Sequence, residues 1–200
     1  MQRLTNWTLA TVAALGLAVF GMGQNIMAEE VKLEVGSAAP EFCVKDDAGN
    51  DWKSADHFGK KIVVVYFYPA DLTGGCTKQA CGFRDDMAKL QDSGVEVVGV
   101  SGDSVENHQI FKKDRNLNFT LLADEEGEVA TKFGVPVTVA EAVAKVKTSD
   151  GKEISLTRKA TAKRWTFVVG QDGKIAYKNT MVAAADDSKA VADAIEKLKK

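Results

Sequence analysis

Residues 61–69 read KIVVVYFYP, and this stretch decides the fold. Between Lys61 and Pro69 every residue is apolar or aromatic, and several are β-branched. A strand with one solvated face would alternate apolar and polar residues, whereas a continuous apolar run is typical of a strand buried on both faces. The stretch therefore predicts a central strand in a sheet that is covered on both sides.

Strand-like and helix-like segments alternate after this run. A helix is predicted where apolar residues recur at helical spacing up to Gly94, at Ala80, Phe83, Met87 and Leu90. The later predicted elements are a strand at 95–101, a helix from Ser104 to about Asn116 with Ile110 and Phe111 inward, a strand at 119–122, a helix at 125–133, a hairpin of 165–169 with 174–177, and a last helix with Val191, Ala194, Ile195 and Leu198 on its apolar side. This order predicts an α/β fold with a central mixed sheet flanked by helices.

The segment 137–163 interrupts that alternation. Asp150 and Gly151 form a good hairpin turn between the strand-like segments 143–146 and 153–156. We therefore predict a two-stranded insert at 137–163 within a single domain that covers residues 29–200.

Two of the three cysteines follow the central strand closely. Cys76 falls on the first turn of the predicted helix, at the carboxyl edge of the sheet, where open α/β sheets bind ligands. Free amide donors and the positive end of the helix dipole favour a thiolate there, and the thiolate is the nucleophilic form. Thr73, three residues upstream, can direct its hydroxyl toward the sulfur or a bound oxygen. The alternative is that Cys76 is only a small buried apolar side chain.

Cys81 lies five residues after Cys76 on the same predicted helix. In an ideal helix this separation places the two Cα atoms about 8.6 Å apart, whereas a disulfide needs them within about 7 Å. The two residues can pair only if the first helical turns unwind. A structural disulfide has no reason to require unwinding, whereas a catalytic cycle with two conformations does. The spacing therefore indicates a redox pair with local unfolding.

These residues form a pattern that resembles the peroxiredoxins, and within them the bacterioferritin comigratory protein or peroxiredoxin Q type. Pro69, Thr73 and Cys76 reproduce the family's Pro-x-x-x-Thr-x-x-Cys loop. Cys81 stands where this subgroup often keeps its resolving cysteine. The later Arg164-Trp-Thr-Phe matches the family's Arg-x-Thr-Phe, with Arg158 as the fallback for the active-site arginine. The resemblance covers roughly residues 33–180.

The resemblance implies a thioredoxin-like fold and a peroxidase that needs no metal or organic cofactor. The Cys76 thiolate would attack the O–O bond of hydrogen peroxide or an organic hydroperoxide and become a sulfenic acid. Thr73 and Arg164 would hold the peroxide oxygens, and Pro69 would shield the sulfur. Cys81 would then condense with the sulfenic acid to give an intramolecular disulfide, which a thioredoxin-like partner protein would reduce by exchange.

Two positions depart from the family's pattern. Gly75 stands where a proline is common before the nucleophile, and Gln79 stands where glutamate is usual. A polar relay through position 79 would therefore differ from that of the family.

The third cysteine and the two histidines are predicted to be structural. Cys43 lies in the strand-like segment 40–44 without a partner motif, which favours a buried packing thiol. His57 and His108 are isolated in the sequence, and we expect surface or core side chains rather than metal ligands.

Residues 1–28 are predicted to be a secretory signal peptide. Arg3 precedes an apolar stretch at 7–23, and Ala28 is a small residue before Glu29 and Glu30. The alternative is an uncleaved anchor, although the apolar core is short for a stable membrane span. Cleavage predicts an exported, periplasmic or otherwise extracytoplasmic protein without stable membrane association. Cysteine pairs can persist oxidised in such compartments.

The net charge of the chain argues against one class of function. The 26 basic and 28 acidic residues give a net charge of −2 without a block of like charge, which argues against nucleic-acid binding and suits a small uncharged substrate.

Two other functions are compatible with the cysteines. One is that of a thioredoxin-type protein thiol–disulfide oxidoreductase, but such proteins use Cys-x-x-Cys. The other is a copper-binding module with cysteine and histidine ligands. We expect a monomer or a weak dimer.

Overall fold

The structure, a computed structural model, describes residues 32–92 and 94–198. The predicted signal peptide, residues 1–28, lies outside the described residues. Within the described ranges, no helix has both the length and the apolar character needed to cross a membrane.

A seven-stranded mixed sheet forms the centre of the molecule. The strands are β1 (Cys43–Asp46), β2 (Asp51–Lys53), β3 (Ile62–Phe67), β4 (Val95–Ser101), β5 (Thr120–Ala123), β6 (Val137–Lys147), β7 (Glu153–Ala162), β8 (Trp165–Val169) and β9 (Ile175–Asn179). The large sheet has the order β2-β1-β5-β4-β3-β8-β9, and β6 pairs with β7 in a separate sheet. Strands β3, β4 and β5 are parallel, whereas β8 runs antiparallel to both β3 and β9. The predicted mixed sheet is therefore confirmed.

Helices cover both faces of this sheet. They are α1 (Gly74–Asp92), α2 (Val105–Arg115), α3 (Glu128–Lys132) and α4 (Asp187–Leu198). All six residues of β3 are buried. Val64 and Tyr66 pack in one core cluster with residues of α1, α2 and α4, while Val63 and Val65 pack in a second cluster with residues of α3. The continuous apolar run thus reflects burial on both faces, as predicted.

Two predicted inward residues are exposed instead. Phe111 of α2 is fully buried, but Ile110 is 39% exposed. Consecutive residues are separated by about 100° around a helix, so the helix cannot turn both toward the sheet. In α4, Val191 and Ile195 are buried while Leu198, in the last turn, is 46% exposed.

The segment predicted to be an insert forms a long hairpin of β6 and β7. Val146 and Leu156 anchor it in the same core cluster as Phe111. Its backbone also meets the sheet at Gly102, whose carbonyl accepts a hydrogen bond of 3.3 Å from Lys159 N–H. A Cβ at position 102 would lie 2.2 Å from the Ala160 carbonyl oxygen, so only glycine allows this approach. The predicted hairpin is confirmed and is longer than its turn signal indicated.

Cys43 is exposed, and the prediction of a buried thiol is wrong. The preceding Phe42 points inward and stacks on Trp52, with ring centroids 5.3 Å apart. Neighbouring side chains in an extended segment point to opposite sides. Cys43 therefore faces solvent.

Candidate active site

The loop between β3 and α1 is held by a buried polar cluster. Asp71, at its centre, is fully buried and accepts a hydrogen bond of 2.7 Å from the Tyr68 hydroxyl. Its second carboxylate oxygen lies 2.8 Å from Nδ1 of His108, and its backbone N–H donates to Asp103 Oδ2 at 3.0 Å. Leu72 has a φ of 55°, a left-handed conformation that is costly for a branched residue. These contacts hold the loop in one shape.

The cluster binds protons more tightly than its groups do in water. Burial, followed by the charge of Asp71, raises the pKa of Asp103 to about 6. Burial disfavours the charged form of His108, but the Asp71 carboxylate more than offsets this, so the pKa of His108 is raised. The free energy of unfolding should therefore depend on pH through this cluster.

We predict that Asp103→Asn flattens the pH dependence of stability. The pKa of Asp103 rises from an ordinary 3.8 to about 6 on folding, so the folded state binds the proton more tightly between these values. Stability then falls as pH rises through this window, by about 3 kcal/mol. His108 adds a loss of the same sign at higher pH, because its pKa is raised above 6.5. Urea unfolding of the reduced protein across this range measures the effect.

Asp193→Asn is the matched control for that comparison, because Asp193 is an exposed carboxylate on α4. The control should keep the pH dependence of the native protein. If the stability difference between Asp103→Asn and the native protein is the same throughout this pH range, Asp103 does not titrate there.

Cys76 lies in the first turn of α1 and is only 1% exposed. The Thr77 N–H donates to the Thr73 carbonyl at 2.8 Å, so Thr73 is the residue that directly precedes the first residue of α1, Gly74. Arg164 Nη2 donates to Cys76 Sγ at 3.2 Å. A guanidinium and a helix N-terminus at one sulfur both stabilise a thiolate.

Sheet register places Arg164 at this sulfur. Phe67, the last residue of β3, pairs with Trp165, the first residue of β8. Arg164 precedes β8 and therefore lies beside the loop that follows β3. The fallback residue Arg158 is occupied elsewhere, because its Nε donates to Thr161 Oγ1 at 2.8 Å and it pairs with Asp103 across a β-bridge.

Thr73 and Pro69 lie on the same loop, and both are half-buried. The Thr73 hydroxyl donates to the Ala70 carbonyl at 3.0 Å. Its oxygen lone pairs thus remain to accept a hydrogen bond. A groove of about 390 Å³ opens beside the loop and is lined by Pro69, Pro136, Val137, Thr138, Thr161, Ala162, Lys163 and Arg164. The base of the hairpin therefore forms one wall of this groove.

Gln79 and Asp187 are the site residues whose connection the sequence did not show. Arg164 Nη1 donates to Gln79 Oε1, and Gln79 Nε2 donates to Asp187 Oδ2 at 2.6 Å. Thr166 Oγ1 donates to the same Asp187 oxygen at 2.7 Å. Burial raises the pKa of Asp187, although these bonds and the Arg164 charge oppose it. Gln79 was singled out as a departure, but no sequence signal points to Asp187, which lies 108 residues away.

Cys81 lies further along α1, half-buried, and the three cysteines are free thiols. Both Cys76 and Cys81 belong to the continuous helix α1. The histidines lie elsewhere, since His57 Nδ1 is 2.8 Å from Glu96 Oε2 and His108 contacts Asp71.

Comparison with known proteins agrees with this geometry. The model of the AhpC/TSA family matches residues 35–178, a range that includes the cysteine loop, the hairpin and Arg164. The chain belongs to the AhpC/TSA family.

Several known proteins resemble the chain in sequence. It is 53% identical over 105 residues to a chloroplastic peroxiredoxin Q of Sedum lineare, covering 52% of this chain and 56% of the relative. It is 42% identical over 145 residues to a peroxiredoxin bcp of Coxiella burnetii, covering 72% of this chain and 87% of the relative. The chain spans about half the length of the plant relatives that it matches.

The crystal structure of peroxidoxin BcpB from Mycobacterium tuberculosis is similar in fold to this chain. It superposes with a TM-score of 0.69 at 26% identity, covering 84% of this chain and 100% of that one. The resemblance to peroxiredoxins of the bacterioferritin comigratory protein or peroxiredoxin Q type is therefore confirmed, and so is the predicted thioredoxin-like fold.

Proposed function

We propose that this protein is a thiol-dependent peroxidase that reduces hydrogen peroxide and organic hydroperoxides at Cys76. The observation that carries the proposal is the Arg164 guanidinium 3.2 Å from the buried Cys76 sulfur. A buried cysteine with a purely structural role does not need a cation at its sulfur. Membership in the AhpC/TSA family supports the same activity.

In the first step the Cys76 thiolate attacks one oxygen of the peroxide. An S–O bond forms as the O–O bond breaks, so the sulfur is oxidised to a sulfenic acid and the peroxide is reduced to an alcohol or water. Arg164 stabilises the negative charge that develops on the leaving oxygen, which then takes up a proton. The Thr73 oxygen accepts a hydrogen bond from the peroxide O–H, because its own hydrogen is directed to the Ala70 carbonyl. Pro69 shields the sulfur from water.

In the second step Cys81 attacks the sulfenic sulfur. An S–S bond forms and the sulfenic oxygen leaves as water, which balances the reaction. Both cysteines lie within α1, where their Cα atoms would be about 8.6 Å apart in ideal geometry, too far for a disulfide. The first turns of α1 must therefore unwind. A thioredoxin-like protein then reduces the disulfide by thiol–disulfide exchange.

The groove beside Pro69 and Arg164 is a suitable place for the organic part of a hydroperoxide. Val137 and Ala162, at the base of the hairpin, give it an apolar wall. An alkyl group there would leave the peroxide oxygens beside Arg164. Hydrogen peroxide needs no such groove.

The rival functions have less support. The histidines that a copper site would require contact Glu96 and Asp71 rather than a cysteine sulfur. A thioredoxin-type oxidoreductase would need its two cysteines closer along the helix than Cys76 and Cys81.

A coupled assay tests the peroxidase proposal. The reduced full chain is mixed with hydrogen peroxide, thioredoxin, thioredoxin reductase and NADPH, and both peroxide and NADPH are followed. We expect both to be consumed in equal amounts. Reduction of insulin disulfides without peroxide consumption would favour the thioredoxin-type function instead.

We also propose that residues 1–28 direct export and are removed after Ala28. The order of Arg3, an apolar segment and a small residue before Glu29 supports this. Intact-mass measurement of protein from the periplasmic fraction of a bacterial host should give the mass of residues 29–200. Full-length protein in the membrane fraction would show that the segment is kept as an anchor.

A further inference from the structure

Three side chains connect the last helix to the sulfur of Cys76. Asp187 in the first turn of α4 accepts from Gln79, Gln79 accepts from Arg164, and Arg164 donates to Cys76. Asp187, Gln79 and Cys76 are each only 1% exposed. Thr166 of β8 fixes the carboxylate from another side at 2.7 Å.

The chemistry of the end groups determines which way the Gln79 amide faces. A guanidinium has only donors, and a carboxylate has only acceptors. The amide oxygen must therefore face Arg164 and the amide nitrogen must face Asp187. If the amide were reversed, a donor would face a donor at Arg164 and an acceptor would face an acceptor at Asp187.

Two hydrogen bonds hold the Asp187 carboxylate. Its Oδ1 has no hydrogen-bond partner among the described residues, so its hydrogen bonds are those to Gln79 and Thr166. As an acidic residue in the first turn of α4, Asp187 also suits the positive end of the helix dipole. A variant that keeps the two hydrogen bonds but removes the charge therefore separates the two contributions.

The backbone at Gly75 also contacts the Arg164 guanidinium. A Cβ at position 75 would lie 3.3 Å from Arg164 Nη2, so the guanidinium lies close against the backbone of α1. Position 79 is one turn further along the same helix. The Arg164 guanidinium therefore lies between the Gly75 backbone and the Gln79 oxygen. A small rotation of the Gln79 side chain would remove the second of these two contacts.

We propose that Asp187 is a positioning residue, which holds the Gln79 amide so that Arg164 is aimed at the Cys76 sulfur. The proposal rests on the proposed function only in taking Cys76 as the reacting group. Gln79 lies between Cys76 and Cys81 on α1, so unwinding of this segment for the disulfide would move Gln79 away from Asp187 and Cys76 away from Arg164. The arrangement thus belongs to the reduced, folded site.

Asp187→Ala tests this role. We expect the second-order rate with hydrogen peroxide to fall about tenfold to a hundredfold, since small misplacement of a catalytic group has effects of this size. The midpoint of the pH profile for alkylation of Cys76 by iodoacetamide should move to higher pH, in a Cys43→Ser/Cys81→Ser background. Asp187→Asn retains an oxygen that accepts from Gln79 and Thr166, and should restore both values to within about threefold.

Asp186→Ala is the matched control, because Asp186 is the exposed neighbour at the same helix end. It should leave the rate and the alkylation profile unchanged. The proposal is overturned if Asp187→Ala behaves like Asp186→Ala, or if Asp187→Asn is as impaired as Asp187→Ala.

Gln79→Leu keeps the test decisive if Asp187→Ala does not fold. It removes both hydrogen bonds of the amide while filling a similar volume, and should lower the rate and shift the alkylation profile in the same direction. A native-like rate and profile in Gln79→Leu would overturn the proposal. The alkylation profile requires no peroxidase activity. If the native protein failed to reduce peroxide, the proposed function would be wrong. The alkylation profile would still test whether Asp187 positions Arg164 at Cys76.

Discussion

Replacing Cys76 with serine should lower the rate of peroxide reduction by at least about a thousandfold. A serine hydroxyl does not ionise at neutral pH and cannot form a sulfenic acid, so neither the nucleophile nor the oxygen acceptor remains. The side chain is only 1% exposed and differs from cysteine by one atom, so the fold should persist. Hydrogen peroxide consumption in the coupled thioredoxin assay measures the change.

Cys43→Ser is the control for this variant, since it makes the same chemical change at an exposed cysteine of β1. It should retain the native rate. If Cys76→Ser kept more than about a tenth of the native activity, another group would be the nucleophile and the assignment would be wrong.

Replacing Cys81 with serine should separate the two steps of the cycle. The proposed first step uses Cys76, Arg164 and Thr73, all of which stay in place, so one equivalent of peroxide should still be reduced rapidly. Steady-state turnover with thioredoxin should fall roughly a hundredfold, because the disulfide that thioredoxin attacks cannot form. Dimedone should then trap the accumulated sulfenic acid at Cys76, and peptide mass spectrometry should locate it.

The same measurement in Cys43→Ser/Cys81→Ser shows whether Cys43 substitutes as the resolving residue. We expect the double variant to behave as Cys81→Ser does. Native turnover of Cys81→Ser with thioredoxin would show that Cys81 does not resolve the sulfenic acid and that α1 has no need to unwind.

Local patterns predicted the framework of this site well. The apolar run at 62–67 predicted β3 because a strand buried on both faces leaves a continuous signature. Ser104 predicted the start of α2, where its hydroxyl accepts from the Asn107 N–H at 3.3 Å. The loop with Pro69 and Thr73 and the two cysteines of α1 could also be found, since all lie within one short segment.

Contacts between distant parts of the chain could not be predicted in this way. Arg164 lies beside Cys76 because of the antiparallel register of β8 with β3, and no local pattern fixes that register. The Asp187–Gln79 bond depends on how α4 packs against α1. Asp71 and His108 were each unremarkable in the sequence, yet their contact holds the cysteine loop.

The predicted burial of single residues was wrong where two neighbouring apolar residues compete for one buried position. Cys43 follows Phe42, and the larger aromatic side chain takes the inward position. Ile110 precedes Phe111, and again the aromatic residue is buried. The sequence showed that an apolar face existed in each case, but the packing decided which residue occupied it.

The most direct test of the proposed peroxidase cycle is to identify which cysteines pair after a single oxidation. The reduced protein is treated with one equivalent of hydrogen peroxide, its free thiols are alkylated, and the digested protein is examined by mass spectrometry. We predict a Cys76–Cys81 disulfide with Cys43 alkylated. The proposed cycle would be contradicted by an unpaired Cys81 with Cys76 still a thiol, or by a disulfide that includes Cys43.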